Sequence, residues 1–118
     1  MSESKYVLLM TTVAKRADAQ RLARMAVNQR LAACVQIIPK VVSVYRWKGK
    51  IERANEWLVL FKTSKKALPA LMKAIKATHP YSLPELAAVS ISAGSREYLN
   101  WIDAETRPNR KSKIANRK

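Results

Sequence analysis

Apolar residues along the chain change their spacing several times, and each change marks a predicted element. The run YVLLMTTV, residues 6–13, is almost continuously apolar or β-branched, which predicts a strand buried on both faces in the middle of a sheet. Over residues 15–32 the apolar side chains recur every three or four positions. That period predicts an amphipathic helix beginning near Lys15 or Arg16, so the chain opens with a β–α unit.

Two β-rich runs follow, residues 33–47 and 50–63, separated by Lys48-Gly49. Two such arms around a glycine-containing turn predict a β-hairpin. Pro39 cannot donate a hydrogen bond to a neighbouring strand, so we expect a bulge or bend near it. The second arm has an apolar and a polar face: Ile51, Trp57, Val59 and Phe61 against Glu52, Glu56 and Lys62.

The hairpin is too long for a domain of this size. Each arm exceeds the usual strand of about 5–6 residues, and at about 3.3 Å per residue the hairpin spans roughly 40 Å. Its apolar face, near Tyr45, Trp47 and Trp57, would be exposed to water in a single chain. We expect another subunit to bury it. The acidic residues of the opposite face, Glu52 and Glu56, are expected to pair across the hairpin with Lys40, Arg46 or Lys62.

The remaining pattern completes the fold prediction. Residues 64–79 predict a helix from near Lys66, with Pro69 tolerated in its first turn, and residues 86–92 predict a last strand. Ser95 should cap a short final helix with a buried side formed by Tyr98, Leu99, Trp101 and Ile102. The order β-α-β-β-α-β-α is typical of an α+β, ferredoxin-like βαββαβ sandwich, extended here by the long hairpin, with the first and third strands central.

Charge divides the 118-residue chain into two parts. Its net charge is +15, but residues 107–118 carry six basic residues and no acidic one. We therefore predict one domain over residues 1–106 and a basic, disordered tail over 107–118. Residues 1–106 keep a net charge of +9 from the other 17 basic and all eight acidic residues. Because both the domain and the tail are basic, and basic surfaces attract polyanions, the alternative function is that of a nucleic-acid-associated module.

Other classes of protein are disfavoured. No apolar run approaches the roughly 20 residues of a membrane span, and the N-terminus lacks the basic region of a signal peptide. The single cysteine, Cys34, permits neither an intrachain disulfide nor a Cys-x-x-Cys zinc site. Glycine-rich phosphate loops and a recognisable nucleophile–base pair are missing from the sequence. We therefore expect a cytoplasmic, non-enzymatic protein.

The only histidine, His79, stands in the stretch THPYSLPEL, residues 78–86. Three interpretations stay open: a helix end stopped by Pro80, where histidine interacts favourably with the dipole; a metal ligand; and an acid–base catalyst. A metal site would have to join His79, Cys34 and Glu85 across subunits, because transition metals need three or four converging ligands.

An RNA-recognition module has the same element order and needs aromatic side chains on its central strands to stack bases. Trp57 and Phe61 are the only aromatic residues of the third predicted strand. We expect both in a core or interface instead.

Five blocks in order resemble the CutA family, named for divalent-cation tolerance: RLAACVQI (30–37), SVYRWKGKIE (43–52), EWLVLFKT (56–63), HPYSLPEL (79–86) and YLNWI (98–102). The resemblance implies a ferredoxin-like homotrimer, related in architecture to the PII signalling proteins, with the long hairpin reaching neighbouring subunits. It also implies a cleft at each subunit interface for a metal ion or small ligand. The residues that match cleft positions are Cys34, Tyr45, Trp47, Lys62, His79, Tyr81 and Glu85.

The resemblance implies copper or another divalent cation as the cofactor. Some members are thought to bind copper through a cysteine near the end of the first strand and two adjacent histidines before Pro-Tyr. In this chain Thr11, beside Met10, occupies the first position, and Thr78-His79 replaces the histidine pair. Of the implied ligands only His79 is present.

Overall fold

The computed structural model describes residues 4–107. Seven elements follow in the predicted order: β1 Tyr6–Val13, α1 Arg16–Asn28, β2 Cys34–Trp47, β3 Lys50–Ser64, α2 Leu68–Thr78, β4 Ala87–Ser90 and α3 Arg96–Glu105. One sheet runs β2-β3-β1-β4, with every neighbouring pair antiparallel. This is the predicted ferredoxin-like arrangement, with β1 and β3 central. The predicted basic tail lies outside the described residues, except for Arg107.

The long hairpin forms as predicted. Lys48 and Gly49 both have positive φ, 50° and 79°, which matches the right-handed twist of the strands they join. The pairing register shifts between Ile38 and Val41, so the bulge expected from Pro39 is confirmed. Ser95 also caps α3 as predicted, because its side chain accepts a hydrogen bond from the backbone N–H of Tyr98.

The core lies between the two long helices and one face of the sheet. Phe61, Leu9 and Val59 from the central strands are fully buried and belong to one cluster with Leu22, Leu71 and Ile75 from α1 and α2. Phe61 therefore lies in the core, as expected, and Trp57 packs against the same cluster.

The other face of the sheet is apolar and only partly covered. Side chains of β1 alternate, so Val7, Leu9, Thr11 and Val13 are buried while Tyr6, Leu8 and Met10 are half-buried. The prediction that β1 is buried on both faces is wrong for the single chain. Register places on this second face a set of half-buried or exposed apolar residues: Leu8, Met10, Ile38, Leu58, Leu60 and Val89.

Two predicted boundaries and one predicted packing face differ from the structure. The last strand is shorter than residues 86–92, and α2 begins two residues after Lys66. On α3, Ile102 is fully buried, but Tyr98 and Trp101 are exposed. Helical spacing places Tyr98 and Trp101 on the same side of α3 as Ile102, so their burial was expected. The rest of this chain covers Ile102 but does not extend far enough to cover the other two side chains. Among the described residues, none of the helices is long and apolar enough to cross a membrane.

Candidate functional site

A concave surface of about 780 Å³ lies between the outer half of the hairpin and the segment that follows α2. We call it the hairpin cavity. It contains four of the residues predicted for a cleft, namely Tyr45, Trp47, Tyr81 and Glu85. The complete lining is Thr12, Ser43, Val44, Tyr45, Arg46, Trp47, Glu56, Tyr81, Ser82, Leu83, Pro84 and Glu85.

Glu56 lies in this cavity and was missed by the sequence analysis. Only 6% of its surface is exposed, and its Oε2 accepts a hydrogen bond of 2.6 Å from the Tyr81 hydroxyl. A buried carboxylate needs such a partner, since an unpaired buried charge is very costly. The expectation that Glu56 pairs with Lys40, Arg46 or Lys62 across the hairpin is therefore wrong.

The Tyr81 hydroxyl stays protonated as a donor. Burial raises the pKa of Tyr81 well above its ordinary value, and the hydrogen bond to Glu56 and the negative charge of Glu56 raise it further. Tyr81 therefore presents a neutral aromatic ring to the cavity while its oxygen holds Glu56 in place.

His79 ends α2 and ties the following segment to β1. The backbone at His79 is extended, with φ −71° and ψ 138°, as expected for a residue before proline. Its Nδ1 accepts a hydrogen bond of 3.0 Å from the N–H of Tyr81. The neutral ring must then carry its proton on Nε2, which lies 3.1 Å from the carbonyl oxygen of Thr12 and 3.0 Å from Oγ1 of Thr11. The helix ends at Thr78, before His79, as that interpretation predicted. The ring itself binds β1 and not the last carbonyls of the helix.

This geometry predicts a loss of stability in mild acid. Burial lowers the pKa of His79 below its ordinary value of 6.5, and protonation at Nδ1 removes the acceptor of the Tyr81 N–H. Because the unfolded chain then binds the proton more tightly, the free energy of unfolding falls as pH drops below 6.5 and levels off below the folded-state pKa. We expect urea unfolding at fixed protein concentration to show this fall in the wild type.

His79→Asn is the matched control, since its side-chain oxygen can accept a hydrogen bond but does not titrate. The variant should keep a smaller difference between pH 7.5 and pH 5.5, set by groups common to both proteins. An equal pH dependence in both proteins would contradict the assignment.

The described residues do not fit a metal ion within one chain. No group of three or more His, Cys, Asp or Glu side chains that could hold a metal occurs among residues 4–107. Both ring nitrogens of His79 are already hydrogen-bonded, so coordination would have to break one of these bonds. A site at His79 would also need ligands from another subunit.

Cys34 and Lys62 do not line the hairpin cavity of their own chain. They face each other across β2 and β3, at the end of the pairing away from the hairpin turn. Cys34 is half-buried, and Nζ of Lys62 lies 5.5 Å from the centre of the Tyr98 ring. The two residues therefore belong to a separate cluster at the partly covered second face of the sheet.

The hairpin cavity is suited to a cationic ligand, although the chain as a whole is strongly basic. Among its described lining residues, Glu56 and Glu85 outnumber the single basic residue, Arg46. The rings of Tyr45, Trp47 and Tyr81 supply aromatic surface, which attracts cations through its negative face. Aromatic walls with carboxylates can hold a small organic ammonium ion.

Comparisons with known proteins agree on one family. A family model described as CutA1 divalent ion tolerance protein matches residues 7–105. The chain is 42% identical over 99 residues to the divalent-cation tolerance protein CutA of Thermus thermophilus, an alignment covering 84% of this chain and 96% of that protein. It spans only 50% and 47% of the length of the mouse and human CutA proteins that it also matches.

Solved structures are similar over the same range. The crystal structure of CutA from Xylella fastidiosa matches with a TM-score of 0.86 and 42% identity, covering 88% of this chain and 100% of that one. A structure of CutA from Synechococcus elongatus, complexed with a Bis-Tris molecule, matches with a TM-score of 0.81 and 39% identity over 89% of this chain and 97% of that one.

Proposed function

Because the chain belongs to the CutA1 divalent ion tolerance protein family, we propose that it acts as a non-enzymatic homotrimer which binds a small cationic ligand in the hairpin cavity and contributes to divalent-cation tolerance. A cytoplasmic location is part of this proposal. The observation that carries it is the buried Glu56 carboxylate, held by Tyr81 at the wall of an aromatic cavity.

Uncovered apolar surface supports assembly with further copies of the chain. The outer hairpin exposes Val44 and Ile51 by 67% and 70%, and the second face of the sheet exposes Ile38 and Val89 as well. Large apolar side chains left exposed in this way are unfavourable in water and mark interaction sites. Packing the second faces together in a trimer would cover it, and each outer hairpin would reach a neighbouring subunit.

Charge and ring placement support an organic cation as the ligand. Bis-Tris is a hydroxylated amine, and the CutA of Synechococcus elongatus is described in complex with it. An ammonium group would gain from the Glu56 and Glu85 carboxylates and from the faces of the surrounding aromatic rings. The hydroxyl groups of such a ligand would find partners in Ser43, Ser82 and Arg46, which line the same cavity.

We expect isothermal titration to show Bis-Tris binding to the wild type and about 10- to 100-fold weaker binding to Glu56→Gln, because a hydrogen bond to a charged group contributes about 1.5–3 kcal/mol. Tyr81→Phe should also weaken binding, since it frees Glu56 to reorient. Glu97→Gln removes an exposed carboxylate on α3 and should bind like the wild type. A neutral polyol such as xylitol should not bind. Equal affinity of Glu56→Gln and the wild type would contradict the assignment, provided that circular dichroism shows both folded.

Copper or another divalent cation at His79 stays a prediction, supported by the name of the family. It requires one ring nitrogen of His79 to give up its hydrogen bond, either Nε2 to the Thr12 carbonyl or Nδ1 to the Tyr81 N–H, and further ligands to come from a second subunit. In a titration with Cu²⁺, a role for His79 predicts clearly weaker binding by His79→Ala than by the wild type. Identical curves would remove His79 from any metal site.

A further inference from the structure

The outer surface of α1 and α2 is strongly basic. Residues 15–28 and 68–78 contain six basic residues and one acidic residue, Asp18, which is bound to Arg21. The other six acidic residues of the described range lie on the hairpin, in the segment after α2 or on α3. All six basic residues are exposed, and we call the surface that they form the basic face: Lys15, Arg16, Arg21, Arg24, Lys73 and Lys76.

The cations of the two helices lie side by side. α1 follows β1 and α2 follows β3, and because these strands are antiparallel the helices run in opposite directions. The Arg21 guanidinium donates to the carbonyl of Thr78 at 2.9 Å, which places the middle of α1 next to the end of α2. Measured from that contact at about 1.5 Å per residue, Arg24 lies about 4.5 Å along α1, while Lys76 and Lys73 lie about 3 Å and about 7.5 Å along α2 in the same direction. Packed helix axes are about 8–10 Å apart, so these three cations form one cluster.

The charge of this cluster is not neutralised within the subunit. Arg24, Lys73 and Lys76 form no ion pair with any residue that the structure describes. Like charges this close repel one another, so a polyanion that neutralises them would bind favourably. The sheet lies between the basic face and the apolar second face, and packing the second faces together in a trimer would leave the basic face accessible.

We propose that the basic face binds the phosphodiester backbone of duplex nucleic acid. A duplex carries about one negative charge for every 1.7 Å of its axis, so it can present several phosphates to two rows of cations at once. Neither α1 nor α2 contains an aromatic residue, so a single strand would gain no base stacking on this face. Of the large apolar residues exposed in the described part of the chain, only Val27 belongs to these helices, which is too little to anchor in a lipid surface.

Fluorescence anisotropy with a labelled DNA duplex of about 20 base pairs tests the proposal. About four phosphate contacts give a slope of about −3.6 in log K against log salt, so raising KCl from about 50 to about 200 mM should weaken wild-type binding roughly 150-fold. The double variant Arg24→Gln/Lys73→Gln should bind about tenfold more weakly at the lower salt concentration and reduce the size of that slope by about 2.

Two further double variants serve as matched controls. Lys5→Gln/Arg96→Gln also removes one lysine and one arginine from exposed positions, but outside α1 and α2, and it should keep the wild-type slope. Arg24→Lys/Lys73→Arg keeps both charges and should bind like the wild type, because contacts to phosphates depend on charge. Residues 108–118 are unchanged in every variant, so they cannot account for a difference between variants.

The outcomes separate recognition by the basic face from a general response to charge. A loss in Arg24→Gln/Lys73→Gln alone, with tighter binding to the duplex than to a single strand of the same length, supports the proposal. Equal losses in both glutamine variants, or an equally large loss in Arg24→Lys/Lys73→Arg, would overturn it. So would no binding by the wild type at about 50 mM KCl, binding to the single strand at least as tight as to the duplex, or tighter binding to phosphatidylserine vesicles.

Discussion

Ile51→Lys should convert the proposed trimer into a folded monomer. Ile51 is 70% exposed in the single chain, so the substitution removes little packing inside one subunit. In the proposed trimer the outer hairpin is covered by a neighbour, and burying an isoleucine there contributes about 2 kcal/mol for each copy. A buried lysine would lose this gain and add an unpaired charge at each interface.

Sedimentation velocity at micromolar concentration measures the effect directly. The wild type should sediment with three times the 13.4 kDa mass of one chain, and Ile51→Lys with the mass of one chain. Ile51→Val keeps an apolar side chain and should remain a trimer. A trimeric Ile51→Lys variant would show that the hairpin lies outside the interface, and circular dichroism would separate dissociation from unfolding.

Phe61→Ala should destabilise the subunit itself by about 3–5 kcal/mol, the usual cost of removing a buried aromatic ring. Phe61 is fully buried on the central strand β3 and belongs to the core cluster that includes Leu9 and residues from α1 and α2. The cavity left by the ring would lie between two helices and a four-stranded sheet, which limits how far the core can collapse around it.

Urea unfolding followed by circular dichroism, at one protein concentration, tests this expectation. Lys73→Ala, at an exposed position on α2, should change the free energy of unfolding by less than about 0.5 kcal/mol. A loss for Phe61→Ala no larger than that of Lys73→Ala would contradict the placement of Phe61 in the core.

Local patterns in the sequence were sufficient to predict the elements and their order. The hairpin turn follows from Lys48-Gly49, the bulge from Pro39 and the helix cap from Ser95, because each depends on the chemistry of a few adjacent residues. The order of the sheet then follows from the β-α-β-β-α-β succession and the handedness of its crossovers.

Features that depend on distant parts of the chain were harder to predict. Glu56 has the polar character of a solvent-facing strand residue, and its partner Tyr81 lies 25 positions further along the chain, where its N–H is bound to His79. A glutamate among the other polar residues of this arm gives no local signal of its burial or of its partner. Likewise, the nearly continuous apolar run of β1 does not show which face is covered by the same chain and which is left for another subunit.

A crystal structure of the protein grown with Bis-Tris tests the central claim most directly. The proposed function predicts electron density for the amine in the hairpin cavity, with its nitrogen near the carboxylates of Glu56 or Glu85 and its body against the rings of Tyr45, Trp47 and Tyr81. A trimer in which the outer hairpins bury these cavities, with the amine bound elsewhere or not at all, would contradict it.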